Sequence, residues 1–149
     1  MMAETSDTPI LSARDVYKEY KIGKTLLRVL NGINLDIQKG EVLVILGASG
    51  AGKSTLLHIL GTLDAPDKGK VFIQDKDVFG QSSRNLAAFR NKSIGFVFQF
   101  HNLLPEFTAL ENVMIPGLIG KGDDKVIKQR AISILEMLGL KDRMDHKPS

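Results

Sequence analysis

Apolar and polar residues alternate over residues 10–20, ILSARDVYKEY, and again over 28–37, RVLNGINLDI, a period of two that predicts two half-buried strands. The turn Gln38-Lys39-Gly40-Glu41 follows, and the two strands are expected to lie antiparallel. The pattern then changes. VLVILG, residues 42–47, is a continuous apolar run bounded by glycine, as expected of a strand buried on both faces. It leads into a glycine-rich loop, after which STLLHILGTL, residues 54–63, has helical length with Gly61 as its expected C-cap.

Beyond the turn Ala65-Pro66-Asp67-Lys68-Gly69, KVFIQDKDV reads as a short strand with a tight turn, SRNLAAFRNK as a short helix and SIGFVFQ as a strand. The stretch from Phe96 to Asn112, FVFQFHNLLPEFTALEN, holds four of the seven phenylalanines yet is studded with Asn, Pro and Glu. Phe96, Val97 and Phe98 are expected in a buried strand that Gln99 ends, and Phe100 to Pro105 as its flexible continuation. Thr108 and Glu111 form a T-x-x-E capping box, predicting a short helix that Pro116 ends. Leu103, Leu104 and Phe107 either fill a local core or make an exposed apolar surface for a partner. Asp123 and Asp124 open a further helix, with Val126, Ile127, Ala131, Ile134, Leu135 and Leu138 on one face and Gly139 stopping it. The polar tail KDRMDHKPS is expected to close nothing, and residues 1–9 are expected to be a disordered tail.

Composition narrows the class. At 149 residues, 43% hydrophobic and 25% charged, the chain suits one ordinary soluble domain rather than two. The formal charge of +3 is spread along the chain instead of gathered in a block, so nucleic-acid binding is not expected. There is no cysteine, which excludes disulfides and thiolate metal sites. No apolar run approaches the roughly 20 residues needed to cross a bilayer. His58, His101 and His146 are too scattered to predict a metal site.

The chemistry is concentrated in GASGAGKST, residues 47–55, a complete G-x-x-x-x-G-K-[ST] phosphate loop with the expected strand before it and helix after it. Its glycines let successive backbone N–H groups face inward, making a nest for phosphate oxygens at the positive end of a helix dipole. Gly47, Ala48, Ser49, Gly50, Ala51, Gly52 and Thr55 are expected to build that cradle. Lys53 is expected on the β- and γ-phosphates, and the Ser54 hydroxyl on Mg²⁺. VFIQD, residues 71–75, imitates an apolar strand ending in a magnesium aspartate, but turn signals flank it and Asp75 reads as a turn residue.

A phosphate loop alone leaves kinases, GTPases, helicases and transporter motors open. From about Ile10 onward, with YKEY followed by GINLDIQKGEVLVILGASGAGKSTLLHILGTLDAPDKGKVFIQ, the chain closely resembles the ATP-binding subunits of ABC transporters. The resemblance implies an α/β fold: a P-loop NTPase core with an N-terminal antiparallel β subdomain and the start of a helical subdomain. It divides the chain into residues 10–99, β subdomain and P-loop core, and residues 100–149, glutamine loop and partial helical subdomain. It implies ATP and Mg²⁺ as ligands. Tyr20 takes the place of the aromatic that stacks on adenine, worth on the order of 1 to 3 kcal/mol by analogy with single-strand binders, with Tyr17 a competitor in the same strand. Gln99 takes the place of the glutamine that reaches Mg²⁺ and the attacking water.

Within the family, FVFQFHNLLPEFTALENVMIP is most similar to the branch that powers lipoprotein release from the inner membrane, with the macrolide-export and cell-division branches as alternatives. The implied partners are membrane-spanning transporter subunits and a second ATPase in a head-to-tail dimer, at the cytoplasmic face of the inner membrane. A P-loop small-molecule kinase and a soluble ABC ATPase of DNA repair or translation are further alternatives. The resemblance breaks off at HKPS, where family members run into the signature motif, the magnesium aspartate, the catalytic glutamate and the switch histidine. An incomplete ABC ATPase domain is therefore expected. General-base assistance contributes about 10² to 10⁴ in rate, so this chain alone is expected to bind ATP without efficient hydrolysis.

Overall fold

β1 (Leu11–Ile22) and β2 (Thr25–Ile37) form the expected antiparallel pair, with Leu11 opposite Ile37 and Tyr20 opposite Leu27. The computed structural model describes residues 8–100 and 102–148, so the expected disordered tail lies, over residues 1–7, outside the described residues. The chain divides into two units, Met1–Ala87 and Ala88–Ser149.

In the first unit, β1 also pairs with β3 (Lys68–Ile73), which turns back through Gln74 and Asp75 into β4 (Lys76–Asp77). Both turn residues have positive φ, 51° and 61°, so Asp75 is the turn residue the sequence predicts. Among the described residues the strands make one sheet, in the order β2-β1-β3-β4. Register shifts in β1 between Ala13 and Val16, and again up to Glu19, mark bulges. They leave Ala13, Val16 and Lys18 on the buried face. The sheet residues Leu30, Val71 and Ile73 are buried, as are Leu56, Ile59 and Leu60 of helix α1 (Lys53–Leu60), which packs beside β2. These apolar side chains make the core of the unit.

Two expected strands do not form. Residues 41–48 have no strand pairing, with Val42 and Leu46 exposed by 88% and 86%. Residues 94–98 are likewise unpaired, and Val97 is fully exposed. The apolar pattern is that of inner strands, but such a strand needs neighbours along both edges for its amides and layers on both faces for its side chains. Among the described residues no segment supplies them. Phe96 and Phe98 still stack, centroids 5.3 Å apart, as residues two apart on one side of extended backbone do.

The second unit holds the end of α2 (Ser83–Ser93), then α3 (Ala109–Ile119) and α4 (Asp124–Met137). α3 runs through Pro116 instead of ending there. Proline removes the bond to the carbonyl four residues back, yet its own carbonyl accepts from Gly120 N–H at 3.1 Å and Asn91 Nδ2 at 2.9 Å, so the last turn persists. α4 buries Ala131 and Leu135 of the predicted face, while Val126 and Leu138 stay largely exposed. It stops as expected: Gly139 takes φ 70°, its N–H donates to Glu136 O at 3.0 Å, and Leu140 N–H donates to Leu135 O at 2.8 Å.

The tail was expected to close nothing and instead caps α3. Carbonyls of His146 and Met144, beyond the short 3₁₀ turn Lys141–Arg143, accept from Ala109 N–H at 2.8 Å and Leu110 N–H at 3.0 Å. Polar side chains say nothing about where their backbone carbonyls point, and a helix start offers donors to any carbonyl that reaches it.

Candidate functional site

The loop after the exposed run at residues 42–46 closes a turn through Ala51 N–H to Ala48 O at 3.2 Å and enters α1 through Gly52. Gly52 has φ 87°, and a Cβ there would lie 2.9 Å from both Val29 Cγ1 and Val29 O. Only glycine lets the loop seat on β2 in this conformation. α1 then begins with no side-chain cap and no acidic residue in its first turn. Its first closing bond runs from Leu56 N–H to Gly52 O at 2.9 Å. The amides of Lys53, Ser54 and Thr55 therefore stand at the loop mouth, at the positive end of the helix dipole.

Lys53 folds back across the loop. Its Nζ donates to Gly47 O at 2.9 Å and Ala48 O at 2.6 Å. Ser49, Gly50, Ala51 and Ser54 are exposed beside it, and Thr55 is half-buried. An uncapped helix start, a cation held by neutral carbonyls and the absence of acid from the first turn fit a phosphate group. The exposed Ser54 hydroxyl supplies an oxygen of the kind a hard cation takes.

Both tyrosines are accounted for. A Cβ on Gly32 would lie 2.9 Å from the Tyr17 hydroxyl, so the half-buried Tyr17 side chain lies against β2. Tyr20 is 39% exposed. Its cross-strand partner Leu27 lies two residues from Val29, on which Gly52 seats, a rise of roughly 7 Å along β2. The first unit thus brings Tyr20 and the loop 47–55 to neighbouring stretches of one strand. Gln99 belongs to the second unit and is exposed. His101 lies outside the described residues.

Around Tyr20 the structure adds residues that the sequence did not single out. Its hydroxyl donates to Asp64 Oδ2 at 3.1 Å, and Lys18 Nζ donates to Asp64 Oδ1 at 2.9 Å and Ala65 O at 2.7 Å. Burial by itself would lower the Lys18 pKa; the Asp64 hydrogen bond and charge, helped by Asp67 and Tyr20, outweigh it and hold Lys18 above its ordinary value. Burial likewise pushes Asp64 up, but the hydrogen bonds from Lys18 and Tyr20, the Lys18 charge and the Ala65 N–H bring it below the usual aspartate value. The available signal was the period of two, which sets Lys18 and Tyr20 two apart on a strand with a lysine at an inward position.

In the second unit the apolar loop is tied down by Asn112, another residue not anticipated. Its Oδ1 accepts from Leu104 N–H at 2.9 Å, and its Nδ2 donates to the carbonyls of Leu104, Phe107 and Thr108 at 2.9–3.1 Å. Leu103, Leu104 and Phe107 remain 47%, 44% and 41% exposed. Phe107, Met114, Ile115 and Leu118 line a groove of about 420 Å³ rimmed by Glu111 and Lys125.

The ABC transporter sequence profile matches residues 30–149. The chain belongs to the ABC transporter family. It is 52% identical over 139 residues to the lipoprotein-releasing system ATP-binding protein LolD of Bdellovibrio bacteriovorus, covering 93% of this chain and 63% of that one. The protein of the same name from Cytophaga hutchinsonii is 54% identical over 140 residues, covering 94% of this chain and 62% of that one. An ATP-binding cassette solved as a dimer in a post-hydrolysis state with ADP and Pi superposes with a TM-score of 0.84 at 39% identity, over 93% of this chain and 61% of that one. The fold is that of an ABC ATPase cassette, and the chain spans somewhat over three-fifths of the length of these relatives. Among the described residues no helix is long and apolar enough to cross a membrane.

Proposed function

We propose that this chain is the nucleotide-binding part of an ABC transporter ATPase that couples ATP binding and hydrolysis to lipoprotein release from the inner membrane. The observation that carries the reading is the uncapped start of α1 with Lys53 folded over its glycine loop. Identities of 52% and 54% to two lipoprotein-releasing ATP-binding proteins support the choice of branch.

In this reading the backbone from Gly47 to Gly52 and the amides of Lys53, Ser54 and Thr55 hold phosphate oxygens. Lys53 exchanges its two carbonyl partners for the β- and γ-phosphates, and the Ser54 hydroxyl ligates Mg²⁺. Tyr20 stacks on adenine, and the Gln99 amide oxygen reaches Mg²⁺ and the attacking water. A Mg²⁺ held by Ser54 and Gln99 would supply positive charge to offset that of the phosphates. None of these residues is a general base for that water, so the chain alone binds ATP without efficient turnover.

The cassette proposed here works as a dimer on membrane-spanning subunits, held peripherally at the cytoplasmic face of the inner membrane. Dimeric cassettes among its structural relatives support the dimer. Residues 10–99 act as β subdomain and P-loop core, and residues 100–149 as glutamine loop and partial helical subdomain. The exposed Leu104 and Phe107, beside the second-unit groove, receive a segment of the membrane subunit.

Purification of the whole protein from membranes tests this reading. Co-purification with a lipoprotein-bound membrane complex, and its loss with Leu104→Asp or Phe107→Asp while ATP binding is retained, is the expected result. Phosphate transfer from ATP to a nucleotide acceptor, or purification with a macrolide-export or cell-division complex instead, would overturn it.

A further inference from the structure

Lys18 is 8% exposed on the inner face of β1, a position where a lysine is tolerated only when its charge is met. Asp64 meets it and also accepts the Tyr20 hydroxyl on its other carboxylate oxygen. Lys18 Nζ lies 5.4 Å from the centroid of the Tyr20 ring. The ring is thus held at two points, its face by a cation and its hydroxyl by a carboxylate that the same cation anchors.

A plain tie between β1 and the loop after α1 would not need this cluster. Asp67 already makes that tie: its N–H donates to Tyr17 O at 2.9 Å, and its Oδ2 accepts from Glu19 N–H at 2.6 Å. Ala65 N–H donates to Asp64 Oδ1 at 2.8 Å and helps fix the carboxylate that both side chains use. What the cluster adds is a fixed plane for an otherwise exposed aromatic ring. An aromatic held in its bound orientation loses less side-chain freedom when a base stacks on it.

The geometry points to Lys18 and Asp64 as positioning residues that hold the Tyr20 ring ready for adenine. The inference rests on the proposed role of Tyr20 as the adenine platform. Asp64 N–H donates to His58 O of α1 at 3.3 Å, so the carboxylate that holds the Tyr20 hydroxyl is tied to the helix that begins at Lys53.

The test compares binding of Mg-ATP with binding of Mg-tripolyphosphate, which has the phosphates and no base, to the full-length protein and to Tyr20→Ala, Tyr20→Phe and Lys18→Met. Tyr20→Phe keeps the ring and loses only its hydroxyl handle, and Lys18→Met keeps the length and loses the cation. Each of the two is expected to weaken Mg-ATP binding by about threefold to tenfold and to leave tripolyphosphate unchanged. If Tyr20→Ala weakens ATP binding but neither other variant does, the positioning role fails while the platform stands. If Tyr20→Ala has no effect, the platform fails and the inference with it. Equal losses for ATP and tripolyphosphate would assign the cluster to folding alone and overturn it. Should Lys18→Met not fold, Tyr20→Phe decides the matter by the same comparison.

Discussion

α3 and α1 start in opposite ways. At α3 every amide of the first turn has an acceptor: Ala109 and Leu110 donate to tail carbonyls, Glu111 to Thr108 Oγ1 at 3.2 Å and Asn112 to Thr108 O at 2.9 Å. Glu111 reaches back to Thr108 N–H at 2.8 Å, completing the box. That backbone bond first, and the Thr108 side chain second, hold the Glu111 carboxyl below its ordinary value. α4 follows the same rule with Asp123, which accepts from Lys125 and Val126 N–H. α1 has glycine where those helices have Thr or Asp, and no acid in its first turn. A helix serving only the fold satisfies its own amides, whereas one meant to hold an anion leaves them free and withholds competing negative charge.

The sharpest way to break the contrast is Gly52→Val. The side chain would occupy the space of Val29 in a backbone region disfavoured for a β-branched residue. A loss of about 3 kcal/mol in folding free energy is expected from thermal or urea unfolding, with ATP binding lost as well. Next is Lys53→Ala, expected to weaken ATP binding by about 30-fold in equilibrium titration while the unfolding midpoint stays where it was. Its bonds to Gly47 and Ala48 lie on the exposed loop, so the fold does not depend on them.

Thr108→Ala should do the reverse. It removes the α3 cap, costs about 1 kcal/mol in stability and leaves ATP affinity unchanged. If it weakened ATP binding as Lys53→Ala does, the division between structural and binding helix starts would fail. The smallest expected effect is on pH dependence. The folded-state pKa of Asp64 is depressed, so its contribution to stability is present above the ordinary aspartate value and is lost as pH falls through the depressed one. Lys18 is raised, so its contribution is present below the ordinary lysine value and lost as pH rises through the raised one. Melting midpoints measured across pH should fall at both extremes, and Asp64→Asn should flatten the acid limb.

Local signals carried a good part of this protein. The paired strands over residues 10–20 and 28–37, the helix after the glycine loop, the T-x-x-E box and the stop at Gly139 all depend largely on residues close in sequence, and each is present in the structure. Such features are set by backbone preferences and short-range hydrogen bonds, which a sequence states directly. The strands expected at residues 42–47 and 93–99 had the right apolar pattern and did not form, because a strand exists only with a partner for its amides. Pairing is long-range. So are the carbonyls of Met144 and His146 reaching α3, and Asp64 reaching Lys18 across 46 positions. The residue spacing announced the phosphate loop, and the family resemblance named Tyr20 with Tyr17 as its competitor; which tyrosine packs on β2, which stays partly exposed and what holds its ring follow from contacts between segments far apart along the chain.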